Sequence, residues 1–191
     1  MPMPLFGPKP EPITYSFSSN DARTVTITNP QTNVIYWVER PSGGWLLPIY
    51  LWKPASTRDD PMSRTLVAKI EYYGYNDKDI TYNGVKMNIR ALFPWALSQP
   101  PRGVLATSLI DTPAGNYAWS MKLELLDPIG QVVGRYKTNK YLFRKSPGPT
   151  LTLKPEASNL NIDLIILGCI VMQQHKHDHD QIGESISDEE E

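Results

Sequence analysis

The sequence predicts a mainly β protein, built as a closed antiparallel barrel around one buried helix near the C-terminus. Three observations carry this prediction. Hydrophobic and polar residues alternate repeatedly over 13–154, as they do in strands that bury one face. Turn residues separate these stretches about every ten residues, which is typical of a meander that closes into a barrel or a sandwich. A segment that is apolar on every side follows, and a closed barrel would bury it from all directions.

The clearest alternation lies in Tyr117–Leu126, where Tyr117, Trp119 and Met121 share one face with Leu123 and Leu125. Ten shorter stretches also read as strands: 14–18, 24–28, 34–40, 46–52, 65–73, 80–82, 85–89, 132–137, 141–143 and 150–154. Asn83-Gly84 predicts a hairpin, and residues 127–130 predict a tight turn. The Pro-rich stretch 93–114 predicts a long loop with one short helical turn.

The apolar segment predicts a helix over 159–174. Ser158 or Asn159 can cap its start, and Asp163 suits the positive end of the helix dipole. A buried strand is the alternative, since Ile and Val favour strands. The apolar run is too short to span a bilayer.

Length and composition indicate one soluble domain. The chain has 191 residues and a net charge of −1, and 40% of its residues are hydrophobic, which is enough to form a core. A single Cys excludes an internal disulfide framework and a Cys-rich zinc site. The N-terminal residues lack the apolar run of a signal peptide, and no transmembrane segment is expected. These features predict a cytoplasmic location.

The two ends differ from this domain. Residues 1–12 hold five prolines, which predicts a flexible, extended N-terminus. Residues 173–191 carry a formal charge of −6, which leaves +5 on residues 1–172. Such an acidic run predicts a flexible tail over 175–191, so the folded domain is expected over 13–174.

Basic residues concentrate near the end of the predicted domain. Five cations fall within eleven positions: Arg135, Lys137, Lys140, Arg144 and Lys145. Tyr136, Tyr141 and Phe143 lie between them. Such a hairpin can bind anionic lipid headgroups. Nucleic acid would use the same chemistry, but the body charge is modest and no recognised module is present, so no nucleic-acid partner is expected.

The sequence does not predict an enzyme or a cofactor. All three histidines, His175, His177 and His179, lie in the tail, so the predicted barrel lacks an imidazole base. No phosphate-binding glycine loop is present. The histidines alternate with Lys and Asp and could bind a transition metal, a solvated tail being the alternative. Ser185 and Ser187 precede an acidic run and are candidate phosphorylation sites.

Four stretches, 15–39, 65–73, 117–137 and 150–178, resemble a family of uncharacterised proteins from mushroom-forming fungi whose domain is classed as tubby-like. Phospholipid scramblases and LURP-one-related plant proteins share that architecture. The resemblance implies a barrel of about twelve strands around the C-terminal helix. It also implies phosphoinositide binding through basic surface residues, although one fold hosts many functions.

These observations predict a non-enzymatic, peripheral membrane module that binds phospholipid, with phosphoinositide as the expected headgroup. The alternative is a protein-interaction or structural protein without a small-molecule ligand, which would use exposed aromatic residues such as Trp45, Trp52 and Trp95. A carrier of a small apolar ligand ranks lower, because the predicted helix already fills the barrel. The oligomeric state stays open.

Overall fold

The computed structural model describes residues 11–18, 24–31, 34–41, 47–55, 63–72, 78–93, 106–112, 115–138 and 148–187. Within these ranges twelve strands follow one another: β1 (Ile13–Phe17), β2 (Thr24–Asn29), β3 (Val34–Glu39), β4 (Ile49–Pro54), β5 (Arg64–Tyr72), β6 (Lys78–Tyr82), β7 (Val85–Asn88), β8 (Ala106–Thr112), β9 (Gly115–Ser120), β10 (Glu124–Leu126), β11 (Val132–Lys137) and β12 (Thr150–Leu153). Helix α1 (Ile89–Leu92) follows β7. A 3₁₀ turn (Pro155–Ala157) and helix α2 (Ile162–Ser187) follow β12.

All twelve strands belong to one antiparallel sheet. Its spatial order is β7-β6-β5-β4-β3-β2-β1-β12-β11-β10-β9-β8. The first and last strands of the chain therefore pair in the middle of the sheet, with Thr14 opposite Thr152. This pairing joins an N-terminal half, β1 to β7, to a C-terminal half, β8 to β12.

The predicted closed barrel is wrong, because the sheet is open. Its edges are β7 and β8, and no pairing joins these two strands among the described residues. β7 has only four residues, and the chain then enters α1. Phe93, which follows α1, is buried against α2 near Gly168. After β7 the chain therefore turns toward helix α2. A closed barrel would instead need β7 to continue as a strand that pairs with β8.

The open sheet nevertheless curves around the apolar helix. Near the start of α2, Asp163 contacts side chains of β3 and β4. Further along, Gly168 lies against Trp119 of β9. Both halves of the sheet therefore contact one helix, and its central residues are buried: Ile165, Ile166, Leu167, Cys169 and Ile170. The apolar segment is a helix and not the alternative strand.

Helix α2 begins later and ends later than the sequence predicted. The cap is Asn161 and not Ser158 or Asn159, because the Oδ1 of Asn161 accepts a hydrogen bond from the Asp163 amide at 3.0 Å. The helix continues to Ser187, through most of the segment expected as a flexible tail. Residues 175–187 contain no proline, so every amide there can donate within the helix.

The stretch predicted as one long strand, Tyr117–Leu126, is a tight hairpin. β9 and β10 pair antiparallel, with Leu125 opposite Trp119. The reversal contains neither Gly nor Pro, which is why the sequence did not reveal it. Leu123 takes a left-handed conformation with φ 58°, and its amide donates to the carbonyl of Ser120 at 2.9 Å.

The region 93–114, predicted as a loop, contains strand β8. It pairs along β9, from Ala106 opposite Ser120 to Thr112 opposite Gly115. The pairing with β9 stabilises this strand, although hydrophobic and polar residues alternate poorly in its own sequence. The two predicted turns are confirmed. Asn83-Gly84 has positive φ at both residues, and Gly130 closes the turn between β10 and β11 with φ 85°.

Candidate functional site

The candidate lipid-binding surface begins on β11. Strand alternation exposes Arg135 and Lys137 while Gly134 and Tyr136 face the core. Tyr136 packs edge-on against Phe17 with ring centroids 5.1 Å apart. Burial raises the pKa of Tyr136, so its hydroxyl stays protonated. This tyrosine therefore belongs to the core. Its position in the sequence, between Arg135 and Lys137, had instead suggested that it forms part of the basic surface.

Small hydroxyl residues continue this surface across the next two strands. Arg135 lies opposite Thr152 of β12, and Thr152 lies opposite Thr14 of β1. Lys137, Thr150 and Ser16 form the neighbouring row. The Oγ1 atoms of Thr14 and Thr152 are 3.3 Å apart, which places both on the same face. We call Thr14, Ser16, Thr150 and Thr152 the hydroxyl band; all four are half-buried.

The two exposed cations have different surroundings. Arg135 forms an ion pair with Glu124 of β10 at 2.6 Å, whereas no ion pair involves Lys137 among the described residues. Residues 116–161 carry seven cations and three carboxylates, a net charge of +4, so about a quarter of the chain holds most of the net charge of +5 on residues 1–172. The remaining members of the predicted cluster, Lys140, Arg144 and Lys145, lie outside the described residues.

A polar cluster at the start of α2, centred on the buried side chains of Tyr36 and Asp163, escaped the sequence analysis. The Tyr36 hydroxyl donates to Asp163 Oδ1 at 2.7 Å, and Lys53 Nζ donates to Oδ2 at 2.5 Å. Asn161 adds a hydrogen bond from its Nδ2 to the hydroxyl of Tyr82 at 3.2 Å. The cluster connects α2 to β3, β4 and β6.

The groups of this cluster bind one another and thereby attach helix α2 to the sheet. Burial, then the hydrogen bond to Asp163, raise the pKa of Tyr36 far above its usual value, so the hydroxyl remains a donor. Both carboxylate oxygens of Asp163 already accept hydrogen bonds from protein groups. Asp163 lies 127 positions from Tyr36 and 110 from Lys53, so no local motif could have revealed the cluster.

A second surface lies on the outer side of β3 and β4. We call Trp37, Tyr50 and Trp52 the aromatic face; all three are half-buried, and Trp37 lies opposite Trp52. Tyr50 and Trp52 stack with centroids 6.1 Å apart. Arg64 lies 4.5 Å above the Trp37 ring. This face could have been predicted from the strand alternation in the sequence, which places Tyr36 inward and Trp37 outward.

The cations around the aromatic face are neutralised. Arg64 pairs with Glu39 at 2.5 Å, and Lys69 pairs with Glu71 at 2.6 Å. The hydrogen bond from Lys69 lowers the pKa of Glu71. Among the tryptophans expected to be exposed, Trp52 is half-buried, while Trp45 and Trp95 lie outside the described residues. The balanced charges make this surface unlike the β11 surface.

The other candidate residues lie on α2. His175 is half-buried, and His177, His179, Ser185 and Ser187 occupy positions in the same helix. Among the described side chains, no group of three or more His, Cys, Asp or Glu residues could hold a metal ion. Burial raises the pKa of Cys169 to about 12, which makes its thiol a poor nucleophile.

The architecture is that of one open antiparallel sheet wrapped around a C-terminal helix, with a basic, hydroxyl-lined outer surface. The chain belongs to the family described as Family of unknown function (DUF6593), which matches residues 20–178. No curated protein and no solved structure matches the chain significantly. In the described part of the chain, no helix is long and apolar enough to cross a membrane.

Proposed function

We propose that this protein is a non-enzymatic module that binds anionic phospholipid at the membrane periphery, with phosphoinositide as the preferred headgroup. The supporting observation is the outer surface of β11, β12 and β1. There, Arg135 and Lys137 stand beside the hydroxyl band in two aligned rows. The tubby-like relationship, the fungal source and the cytoplasmic location, all suggested by sequence, stay predictions.

The chemistry of this surface suits phosphate. Ser and Thr hydroxyls donate hydrogen bonds to phosphate oxygens, and nearby cations compensate their charge. Neighbouring strands lie about 4.8 Å apart, so the aligned rows can contact several oxygens of one headgroup. Each cation near an anionic membrane surface contributes about 1 kcal/mol. Lys137 is the more available of the two cations, because Arg135 is already paired with Glu124.

The double substitution Arg135→Gln with Lys137→Gln is expected to weaken binding to phosphoinositide-containing vesicles roughly tenfold at physiological salt. The loss is smaller than two free cations would give, because Glu124 partly neutralises Arg135. The measurement is co-sedimentation of the full chain with phosphatidylcholine vesicles that contain either a phosphoinositide or phosphatidylserine at matched charge.

The control is Lys86→Gln with Arg90→Gln, which removes the same charge from β7 and α1 at the far end of the strand order. It should leave binding nearly unchanged. An equal loss in both variants would mean attraction by total charge alone. Equal binding to both vesicle types would contradict the phosphoinositide preference, and no binding by the natural chain would refute the lipid proposal.

The alternative function is protein interaction through the aromatic face. The observation that favours it is the combination of half-exposed Trp37, Tyr50 and Trp52 with locally balanced charges. Aromatic residues and Arg are enriched at protein interfaces, whereas net positive charge would favour a membrane. We propose this face as a self-association surface.

For this alternative, Trp37→Gln with Tyr50→Gln is expected to abolish any dimer seen by sedimentation velocity over a wide concentration range. The double substitution removes two of the three aromatic rings of this face. The control is Ile129→Gln, which replaces an apolar side chain that is 78% exposed in the turn before β11. A natural chain that stays monomeric at every concentration would refute self-association.

A further inference from the structure

One carboxylate lies inside the surface that we propose for lipid binding. Glu124 of β10 is directly opposite Arg135 of β11, and Arg135 is opposite Thr152 of the hydroxyl band. Residues that are directly opposite in paired strands lie on the same face of the sheet. Neighbouring strands are about 4.8 Å apart, so Glu124 and Thr152 are separated by about 10 Å, with Arg135 between them. A ligand whose phosphate contacts Arg135 therefore also lies beside a carboxylate.

The position of Glu124 does not suit a ligand that is only a phosphate, because a carboxylate repels anions. Residues 116–161 hold two other carboxylates, and both lie elsewhere. Asp127 closes the turn between β10 and β11 by accepting two backbone amides at 3.0 and 2.7 Å. Glu156 lies in the 3₁₀ turn after β12. The place of Glu124 in the row favours a ligand that brings hydrogen-bond donors together with its phosphate.

We propose that Glu124 binds the ring hydroxyls of a phosphorylated polyol, while Arg135, Lys137 and the hydroxyl band bind its phosphate. The inference rests on the proposed lipid binding and names the residue that recognises the inositol ring. A polyol hydroxyl donates to a carboxylate, and hydrogen bonds to an ionised acceptor are roughly twice as strong as neutral ones. An inositol phosphate supplies both the donors and the anion that this row can bind.

The ion pair between Arg135 and Glu124 leaves both groups able to bind a ligand. Nη2 of Arg135 donates to Oε1 of Glu124 at 2.6 Å, and the two side chains are 50% and 20% exposed. A guanidinium carries five N–H donors, and a carboxylate offers about four acceptor sites. The contact between them therefore leaves donors for phosphate oxygens and acceptor sites for hydroxyls. The pair also holds the two groups in place before a ligand arrives, which reduces the entropy lost on binding.

The test compares two phospholipids that differ in the polyol. The full chain is co-sedimented with phosphatidylcholine vesicles that contain phosphatidylinositol or phosphatidic acid at matched surface charge. Both lipids bring phosphate, but only phosphatidylinositol brings ring hydroxyls. The natural chain should prefer phosphatidylinositol, and Glu124→Gln should lower the ratio of the two affinities about fivefold or more. The affinity for phosphatidic acid should rise at the same time, because the substitution removes a negative charge beside Arg135.

Two further variants separate the hydroxyl contact from the effects of charge and of the ion pair. Glu39→Gln makes the same charge change and frees Arg64 of β5 from its carboxylate partner, so the affinity ratio should keep its natural value. Arg135→Gln breaks the ion pair from the other side and should weaken the binding of both lipids by a similar factor. A purely structural role of the pair would change the ratio in Glu124→Gln and Arg135→Gln alike. Circular dichroism checks that each variant is folded.

Two results would overturn the inference and leave binding of anionic lipid in place. One is an equal rise of both affinities in Glu124→Gln, since Glu124 would then only repel anions. The other is a natural chain that does not prefer phosphatidylinositol. A natural chain that binds neither vesicle refutes the lipid proposal itself. Titration with soluble myo-inositol 1-phosphate then decides the inference, which stands if binding depends on Glu124 and fails if the chain does not bind.

Discussion

Replacing Trp119 by alanine is expected to lower the free energy of unfolding by about 3–5 kcal/mol. Trp119 is fully buried on β9 and is the largest of the fully buried side chains among the described residues. Its indole lies directly on the backbone of α2. A Cβ built at Gly168 would be 2.7 Å from Cδ1 and 2.8 Å from Nε1. Removal of the indole therefore leaves a cavity between the sheet and the helix, which neither element can fill without moving.

Two related variants test the same contact. Trp119→Phe should cost clearly less than alanine, because it keeps a ring and removes an indole N–H that has no hydrogen-bond partner in the described structure. Gly168→Ala should destabilise the protein. Overpacking costs about 1–3 kcal/mol, whereas the gain in helix propensity is about 1 kcal/mol.

The measurement is urea unfolding followed by circular dichroism, since removing a tryptophan changes the fluorescence signal itself. A loss below about 1 kcal/mol for Trp119→Ala, far under the range for buried aromatic truncations, would contradict the packing of β9 on α2. If Gly168→Ala stabilises the protein, this would contradict the close contact between Gly168 and the Trp119 indole.

The second large effect is expected at Asp163. Asp163→Ala should lower the free energy of unfolding by about 2–4 kcal/mol, because it leaves the buried Tyr36 hydroxyl without its acceptor and Lys53 without its ion partner. It also removes the contact that joins the first turn of α2 to β3 and β4. The estimate stays moderate because the Lys53 side chain is 40% exposed and remains hydrated.

Asp163→Asn keeps a hydrogen-bond acceptor for Tyr36, so it should lower the free energy of unfolding by less than Asp163→Ala does. The surface comparison is Asp79→Ala, which breaks an ion pair with Lys86 at 3.3 Å and should cost less than about 1 kcal/mol. Urea midpoints of the three variants, measured together, provide the ranking. If Asp163→Ala and Asp79→Ala lower the free energy of unfolding by the same amount, the polar cluster around Asp163 does not anchor the helix.

The candidate lipid surface was only partly predictable. The strand bounds Val132–Lys137 agree with the structure, so alternation alone placed Arg135 and Lys137 on the same face. The hydroxyl band did not follow, because Thr14 and Thr152 are 138 positions apart and meet only through the β1–β12 pairing.

The sequence by itself determined much of the local structure of this protein: the alternating stretches that form most of the strands, the reversal at Asn83-Gly84, and the apolar segment that becomes a helix. These properties depend on neighbours a few residues apart. The tertiary structure alone decided that the sheet stays open, because closure depends on whether two distant edges meet. It also decided that Leu123 reverses the chain without a turn residue and that Asp163 finds Tyr36, since those energies come from contacts that form only after folding.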